Sequence, residues 1–300
     1  MNIYQLKNDI RIQIRKHKEE GKTIGFVATM GYLHEGHLTL VQEAKRQCDL
    51  VVMSIFVNPL QFGPSEDFDR YPRDIKRDRQ LAEEAGVDYL FLPTVDEMYK
   101  EKPTMAIHIT QGTDVLCGAS RPGHFNGVAM VVMKLFQIIQ PDKAFFGLKD
   151  AQQVAVIENM VTTFEVPVEV MGVDTVREKD GLAKSSRNVY LTKQERVLAP
   201  KLYEALSAVK KKVEQEPESY SRDEIVKVVK NKLEELPLGD IDYVEALPYP
   251  SLEINEQLSG KILIALAYKF AKARLIDNVI VSMERRENEH VTHNDESKTS

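Results

Sequence analysis

Two histidines three positions apart, in the His-Glu-Gly-His motif at residues 34–37, have the types and spacing to bind a phosphate group. The motif follows a short apolar run at residues 23–28 and precedes a stretch with helical periodicity at residues 38–48. The first turn of a helix exposes unpaired N–H groups and the positive end of the helix dipole, which favour an anion. Gly36 lets a nucleotide approach the backbone, and the imidazoles add hydrogen-bond donors. On its own, the motif fits an ordinary turn equally well.

A zinc site is a further alternative for the histidine pair. The other histidines show no ligand spacing with it; they are His17, His108, His124, His290 and His293. The two cysteines, Cys48 and Cys117, stand far apart without a Cys-x-x-Cys spacing, which indicates reduced structural thiols rather than a disulfide framework or a zinc ribbon. The sequence therefore predicts no protein-built metal site.

A second polar segment, at residues 180–188, carries two cations, Lys184 and Arg187, and two hydroxyls, Ser185 and Ser186. A loop of small residues with these groups is suited to clamp a polyphosphate. A solvated hinge with incidental charges is the alternative interpretation.

A third segment, at residues 146–153, contains Gly147, Lys149, Asp150 and two glutamines. It follows a predicted strand and begins a predicted helix. Open α/β sheets bind their ligands along the carboxyl edge of their strands. Three polar, glycine-containing segments at that edge are hard to explain by packing alone.

The elements that position these segments alternate between strand and helix. Apolar runs at residues 23–28, 50–57, 89–92, 144–146 and 168–171 predict strands, and helical periodicity covers residues 4–20, 38–48, 75–85, 127–139 and 150–163. This alternation predicts a parallel sheet with right-handed crossovers, a Rossmann-like, doubly wound α/β fold. We place its domain at residues 1–178.

A second, smaller α+β domain is predicted for residues 179–283. Lys- and Glu-rich helical segments at residues 192–213 and 222–236 precede two strand candidates at residues 242–247 and 261–268. The polar stretch at residues 284–300 predicts a disordered tail.

Composition limits the classes of partner. The chain has 300 residues, 43% of them hydrophobic, and 40 Lys and Arg against 46 Asp and Glu give a net charge of −6. This charge argues against a nucleic-acid or anionic-membrane partner. The apolar runs are shorter than the roughly 20 residues that span a bilayer, and the first 20 residues lack the apolar core of a secretory signal. We therefore expect a cytoplasmic protein.

Six sequence blocks, taken together, resemble the pantothenate synthetase (pantoate–β-alanine ligase) family of the nucleotidyltransferase superfamily. The blocks occupy residues 29–37, 54–62, 121–127, 146–153, 181–188 and 273–278. The resemblance extends over about residues 1–282, in the family's order.

The resemblance implies a role for each matching residue. His37, as the active-site proton donor, His34, Lys149 and Lys184 match catalytic positions, Gln61 and Gln153 match pantoate contacts, and Gln61 also matches a β-alanine contact. Neutral amides suit pantoate hydroxyls because they both donate and accept. The nucleotide contacts are Met30, Gly31, Tyr32, Leu33, His34, Glu35, Gly36, His37, Gly147, Leu148, Lys149, Asp150, Val176, Lys184, Ser185, Ser186 and Arg187.

Two positions depart from the family pattern: Ala28 where proline is usual and Leu148 where glutamate is common. Leu148 leaves any role of that glutamate unfilled. Arg121 and His124 are candidates to guide β-alanine, with a loop anchor as the alternative.

The implied reaction joins pantoate to β-alanine through a pantoyl adenylate, with release of pyrophosphate and AMP. Mg²⁺ is expected on the ATP phosphates, with Asp150 as a candidate ligand. The resemblance also implies a homodimer. The rival functions are another nucleotidyltransferase, whose phosphate acceptor would require cations where Gln61 and Gln153 stand, a tRNA synthetase, which the acidic chain disfavours, and a noncatalytic ATP sensor.

Overall fold

In the computed structural model, residues 1–63, 66, 68–101, 103–254 and 258–283 are described. They form nine β-strands: β1 (Asn2–Tyr4), β2 (Ile24–Thr29), β3 (Leu50–Ile55), β4 (Tyr89–Phe91), β5 (Lys143–Gly147), β6 (Glu169–Val173), β7 (Asp240–Pro248), β8 (Gly260–Lys269) and β9 (Arg274–Met283). They also form ten α-helices: α1 (Lys7–Glu19), α2 (Glu35–Gln47), α3 (Ile75–Glu84), α4 (Val95–Met98), α5 (Leu116–Ser120), α6 (His124–Ile139), α7 (Ala151–Thr163), α8 (Lys193–Leu198), α9 (Pro200–Gln215) and α10 (Arg222–Glu234). Short 3₁₀ helices cover Pro59–Gln61, Leu148–Asp150, Ser186–Tyr190 and Pro217–Ser219.

The first six strands form one parallel sheet in the order β1-β4-β3-β2-β5-β6. β2 and β3 are buried almost throughout, because helices cover both faces of the sheet. The chain proceeds from β2 through β3 to β4 on one side, and from β5 to β6 on the other. The point between β2 and β5 is therefore the topological switch point, where such sheets bind ligands. The predicted doubly wound fold is confirmed.

A second sheet, antiparallel and in the order β7-β8-β9, follows in the chain. Its buried face packs against α9 and α10 around Leu206, Val229 and Ile264. This sheet confirms the predicted α+β architecture of the smaller part. We call the region of β1–β6 the parallel-sheet part and the region of α8–α10 with β7–β9 the antiparallel-sheet part.

Three details differ from the sequence-based expectation. The antiparallel sheet has a third strand, β9, which the apolar pattern does not reveal because charged and polar residues interrupt it. The helix expected over residues 192–213 is two helices, since Pro200 begins α9 and cannot donate the hydrogen bond that would continue α8. The first expected helix begins only at Lys7, after the short strand β1.

A separate apolar cluster joins the two parts, and we call it the seam. From the parallel-sheet part it takes α5 and α7, and from the antiparallel-sheet part β7, β8 and the turn after β7. Its buried members are Val115, Leu116, Ala151, Ala155, Leu247, Leu252, Leu263 and Ala265.

Within the described part of the chain, no helix combines the length and apolar character needed to cross a membrane. The predicted disordered tail at residues 284–300 lies outside the described residues. The predicted domain boundary at residue 178 remains a prediction.

Candidate active site

A tight turn after β2 leads into the histidine motif. Gly31 and Tyr32 both have positive φ, +84° and 51°. The buried carboxylate of Asp78, on α3, accepts hydrogen bonds from the backbone N–H groups of Tyr32 and Leu33, each at 2.8 Å. A Cβ at Gly31 would lie 2.9 Å from Asp78 Oδ2, so the turn requires glycine on steric grounds as well. Asp78 therefore stabilises the turn from α3, a helix about 45 residues away in sequence.

The two histidines occupy the first turn of α2, as the sequence predicts. His34 is the N-cap: its Nδ1 accepts from the Gly36 N–H at 3.1 Å. His37 Nδ1 accepts from the His34 N–H at 3.2 Å, which completes a capping box. The two rings lie 4.1 Å apart between centroids. Because each Nδ1 accepts, the proton of each neutral ring resides on Nε2.

Burial keeps both rings uncharged. Desolvation, reinforced by the neighbouring His34 and Lys149, lowers the pKa of His37 to about 3. Burial is also the main cause that lowers the pKa of His34, with the charge of Lys149 next among the groups that lower it. At neutral pH each ring therefore offers an Nε2–H hydrogen-bond donor without a full positive charge.

The Lys184 segment lies against this helix terminus. The Lys184 ammonium forms an ion pair and hydrogen bond with the carboxylate of Glu35, the first residue of α2. This contact raises the pKa of Lys184. The Lys184 N–H donates to the Val176 carbonyl at 2.9 Å, and Ser185 caps the following 3₁₀ helix by accepting from the Arg187 N–H. The structure therefore joins two segments that are about 150 residues apart in sequence.

Lys149 is brought to the same edge by the 3₁₀ helix directly after β5. Its ammonium lies 3.7 Å from Asp150, and its charge acts on both histidines. The side chain of Leu148 packs against β6, since a Cβ at Gly172 would lie 2.8 Å from Leu148 Cδ2. Leu148 therefore has a packing role. It stands where glutamate is common in the family, so that carboxylate is missing from this position.

Gln61 is buried beside the turn that follows β2. Its Nε2 contacts Met30 Sδ at 3.0 Å, and its Oε1 accepts from Asn58 Nδ2 at 3.2 Å. Asn58 also donates to the Gly127 carbonyl at 3.0 Å. It thereby links the 3₁₀ helix Pro59–Gln61, which it precedes, to α6. Sequence reasoning misses Asn58, although it lies within the block at residues 54–62.

Arg121 and His124 are engaged with protein groups. Arg121 donates two hydrogen bonds to the Glu66 carboxylate, both at 2.7 Å, and a third to His124 Nε2 at 2.9 Å. His124 Nδ1 in turn donates to the Gln61 carbonyl at 2.8 Å. These contacts fit a loop anchor, but both side chains also line the cavity that contains Gln153, so a role in guiding β-alanine stays a prediction.

A cavity of about 270 Å³ lies between the amino end of α7 and the sheet of β8 and β9. Its walls include Lys149, Asp150, Gln153, Arg187, Arg274 and Asn278. The predicted pantoate contact Gln153 thus shares one cavity with three of the predicted nucleotide contacts. Gln61 and the histidine pair stand outside the described lining of this cavity, on the side of β2.

The described residues include no group of three or more His, Cys, Asp or Glu side chains arranged to hold a metal ion. Asp150 is a single, half-exposed carboxylate beside Lys149. This donor set fits a cation held mainly by the oxygens of a bound polyphosphate.

The model of the family described as pantoate-beta-alanine ligase matches residues 2–280. The chain belongs to the pantoate–β-alanine ligase family. It is 55% identical to the pantothenate synthetase of Shouchella clausii, over 98% of this chain and 96% of that protein. It is 53% identical to the pantothenate synthetase of Bacillus subtilis, over 95% of this chain and 98% of that protein.

Solved structures agree with this assignment. Pantothenate synthetase from Thermus thermophilus superposes with a TM-score of 0.84 at 45% identity, covering 93% of this chain and 99% of that one. The pantoate-β-alanine ligase from Francisella tularensis, complexed with β-γ ATP and β-alanine, superposes with a TM-score of 0.73 at 33% identity, covering 93% and 97%. The present chain is therefore a ligase that joins pantoate to β-alanine at the expense of ATP, as the sequence predicts. The rival functions of another nucleotidyltransferase or a tRNA synthetase are excluded.

Proposed function

We propose that the ligase works in two half-reactions at the edge where β2 and β5 diverge. The pantoate carboxylate attacks the α-phosphorus of ATP, a P–O bond forms, and pyrophosphate leaves. The β-alanine amine then attacks the carbonyl carbon of the pantoyl adenylate, the C–N bond forms, a proton leaves the nitrogen, and AMP departs. The observation that carries this proposal is the convergence of the α2 terminus, Lys149 and Lys184 at one edge of the sheet.

His34 and His37 act in this proposal as hydrogen-bond donors. Attack on phosphorus concentrates negative charge on the non-bridging oxygens and on the departing pyrophosphate, and fixed donors stabilise that charge. Both rings carry their proton on Nε2 and are neutral. With its pKa lowered to about 3, the ligand-free ring is neutral at neutral pH and offers its Nε2–H as a hydrogen-bond donor. The proton-donor role of His37 stays part of the proposal.

Lys149, Lys184 and Arg187 supply the positive charge. The Lys184 ammonium is ion-paired with Glu35. We infer that it leaves this carboxylate and binds the phosphates when ATP occupies the α2 terminus. The proposed nucleotide contacts are residues 30–37, 147–150, 176 and 184–187. Closure of the antiparallel-sheet part, over a boundary near residue 178, then keeps water from the adenylate.

Gln61 and Gln153 are the proposed pantoate contacts, with Gln61 also facing β-alanine. The Gln61 amide contacts Met30, directly after β2, and Gln153 lines the same cavity as Lys149. Asp150 is the candidate protein ligand of Mg²⁺, which would neutralise part of the phosphate charge when bound. A homodimer is part of the proposal by family resemblance, and sedimentation at twice the mass of one chain tests it. A cytoplasmic location is proposed from the sequence pattern alone.

Pyrophosphate exchange tests the order of events. With ATP, Mg²⁺ and pantoate, and without β-alanine, the ligase is expected to exchange labelled pyrophosphate into ATP. Lys184→Ala should slow this exchange by roughly 10²–10³-fold because it removes one donor aimed at developing charge. Gln153→Ala should raise the KM for pantoate more than it lowers kcat.

Lys193→Ala, at the exposed start of α8, is the matched control for loss of a lysine charge. Absence of both exchange and enzyme-bound pantoyl adenylate in a rapid-quench experiment contradicts the adenylate route. Formation of AMP that requires pantoate and β-alanine excludes the noncatalytic sensor.

A further inference from the structure

The sequence block at residues 273–278 has no role in the function proposed above. Two neighbouring residues of this block, Asp277 and Asn278, lie on β9 in the antiparallel-sheet part and are 4% and 8% exposed. Buried polar side chains at successive strand positions point to opposite sides of the sheet. Each of these two is bonded to a different segment of the candidate active site.

Asn278 holds the segment that carries Lys149. Its Nδ2 donates to the Leu148 carbonyl at 2.9 Å and to the Lys149 carbonyl at 3.0 Å. These carbonyls belong to the 3₁₀ helix between β5 and α7, where the backbone leaves its regular pairing. One side-chain amide therefore fixes the peptide groups on both sides of the Lys149 Cα.

Asp277 binds Arg177, which supports the chain directly before Lys184. Its carboxylate accepts from Arg177 Nη1 at 2.7 Å and from Arg177 Nη2 at 2.9 Å, the two-point geometry that orients a guanidinium. Arg177 also donates to the Gly181 carbonyl, and its guanidinium lies 3.5 Å from the ring centroid of Tyr203. Arg177 forms a β-bridge with Ala183, the residue directly before Lys184.

The Asp277 side chain is also bonded to the backbone of Asn278. The Asn278 N–H donates to Asp277 Oδ1 at 2.8 Å, the same oxygen that receives Arg177 Nη2. The distance between the backbones of Lys149 and Lys184 is therefore set through two adjacent residues of one strand. A packing role alone requires neither the paired carbonyl contacts nor the two-point ion pair.

We propose that Asp277 and Asn278 are positioning residues that hold Lys149 and Lys184 at the separation required to grip one triphosphate. The proposal rests on the proposed functions of these two lysines. Asp277 and Asn278 themselves do not act on the reacting atoms. They act through the segments that they hold. Their substitution should therefore lower the rate of adenylation in a protein that is still folded.

The first test removes the Asn278 amide. Asn278→Ala should lower kcat/KM for ATP in pyrophosphate exchange by about 10²-fold, the cost typical of displacing a reacting group by about 1 Å. Asn159→Ala is the matched control, because Asn159 Nδ2 also donates from one part to a carbonyl of the other, that of Pro250 at 3.1 Å. The control should stay within twofold of wild type. Asn278→Leu, which keeps the branching at Cγ without the amide, replaces the alanine variant if circular dichroism shows that the latter is unfolded.

The second test removes the charge of Asp277. Asp277→Asn should raise the KM for ATP at least tenfold, because Arg177 loses the carboxylate that orients it. Glu245→Gln is the control, since it weakens a comparable ion pair, Arg222 to Glu245 at 2.6 Å, within the antiparallel-sheet part. Equal KM values for both variants would show that Asp277 has only a structural role.

A double-mutant cycle separates this inference from the proposed function. If Asn278 acts through Lys149, Asn278→Ala should cost little further exchange activity in a Lys149→Ala background. If Asn278→Ala lowers the exchange activity by the same factor in both backgrounds, Asn278 is not a positioning residue for Lys149. A Lys149→Ala enzyme with wild-type exchange overturns instead the proposed function of Lys149, on which the inference depends.

Discussion

His37 illustrates how the local backbone selects one form of a titratable side chain. Its Nδ1 accepts the His34 N–H, and desolvation lowers its pKa to about 3. Protonation would break the capping contact as well as place a charge in a partly desolvated site. At neutral pH the ring is therefore a neutral hydrogen-bond donor, without a positive charge that would require solvation.

The same pKa makes a prediction about acid stability. The pKa in the unfolded chain is near 6.5 and in the folded protein about 3, so the unfolded state binds more protons between these values. The contribution of His37 is present in full above pH 6.5 and is lost as the pH falls towards 3, by about 1.4 kcal/mol per pH unit. His37→Asn removes this dependence.

The measurement is the free energy of unfolding by urea at pH 8, 7, 6 and 5. We expect wild type and His37→Asn to differ by a constant amount at pH 7 to 8, and the wild type to lose more stability below pH 6.5. Parallel curves over the whole range would contradict a depressed pKa. His124, whose pKa is also lowered, remains in both proteins away from this pair, and its contribution cancels in the comparison.

At the scale of elements, α3 stabilises the candidate active site although none of its residues is a predicted nucleotide, pantoate or β-alanine contact. Asp78, fully buried on this helix, satisfies two backbone donors of the turn after β2. Asp78→Asn keeps the volume but turns an amide towards one of these N–H groups. We expect a loss of about 1–3 kcal/mol in unfolding free energy, and a raised KM for ATP because the turn precedes His34.

Asp74→Asn on the same helix is the matched control for this variant. Asp74 is the N-cap of α3 and accepts from the Arg77 N–H at 3.0 Å, a role that asparagine fills about as well. The control should leave the free energy of unfolding and the KM for ATP close to wild type. If both variants behave alike in calorimetry and kinetics, the turn does not depend on Asp78.

These elements also explain what the sequence can predict. The order from β2 through the turn to α2 is encoded locally, by an apolar run, a glycine and helical periodicity, and the sequence predicts it together with His34 and His37. The contact of Asp78 with Leu33 joins residues 45 positions apart and has no local signal. β9 escapes prediction because Asp277 and Asn278 interrupt its apolar pattern, and these are the residues that hold the site segments.

At the scale of the whole molecule, each part has a core of its own and the seam joins them. Leu206 lies in the core of the antiparallel-sheet part and is 0% exposed, while Leu263 lies in the seam and is 1% exposed. Leu263 also lines the cavity that contains Lys149 and Gln153. The seam therefore determines how the two parts meet at the candidate active site.

This arrangement predicts that equal losses of packing have unequal effects on catalysis. Leu263→Ala and Leu206→Ala should each lower the free energy of unfolding by about 2–5 kcal/mol, since each removes a buried leucine side chain. At a temperature where both variants are folded, Leu263→Ala should lower kcat/KM for ATP by roughly 10- to 100-fold, because a small shift of the parts misplaces the lysines. Leu206→Ala should retain the wild-type value. Equal kinetic effects of the two substitutions, with equal melting temperatures, would contradict a seam that aligns the site.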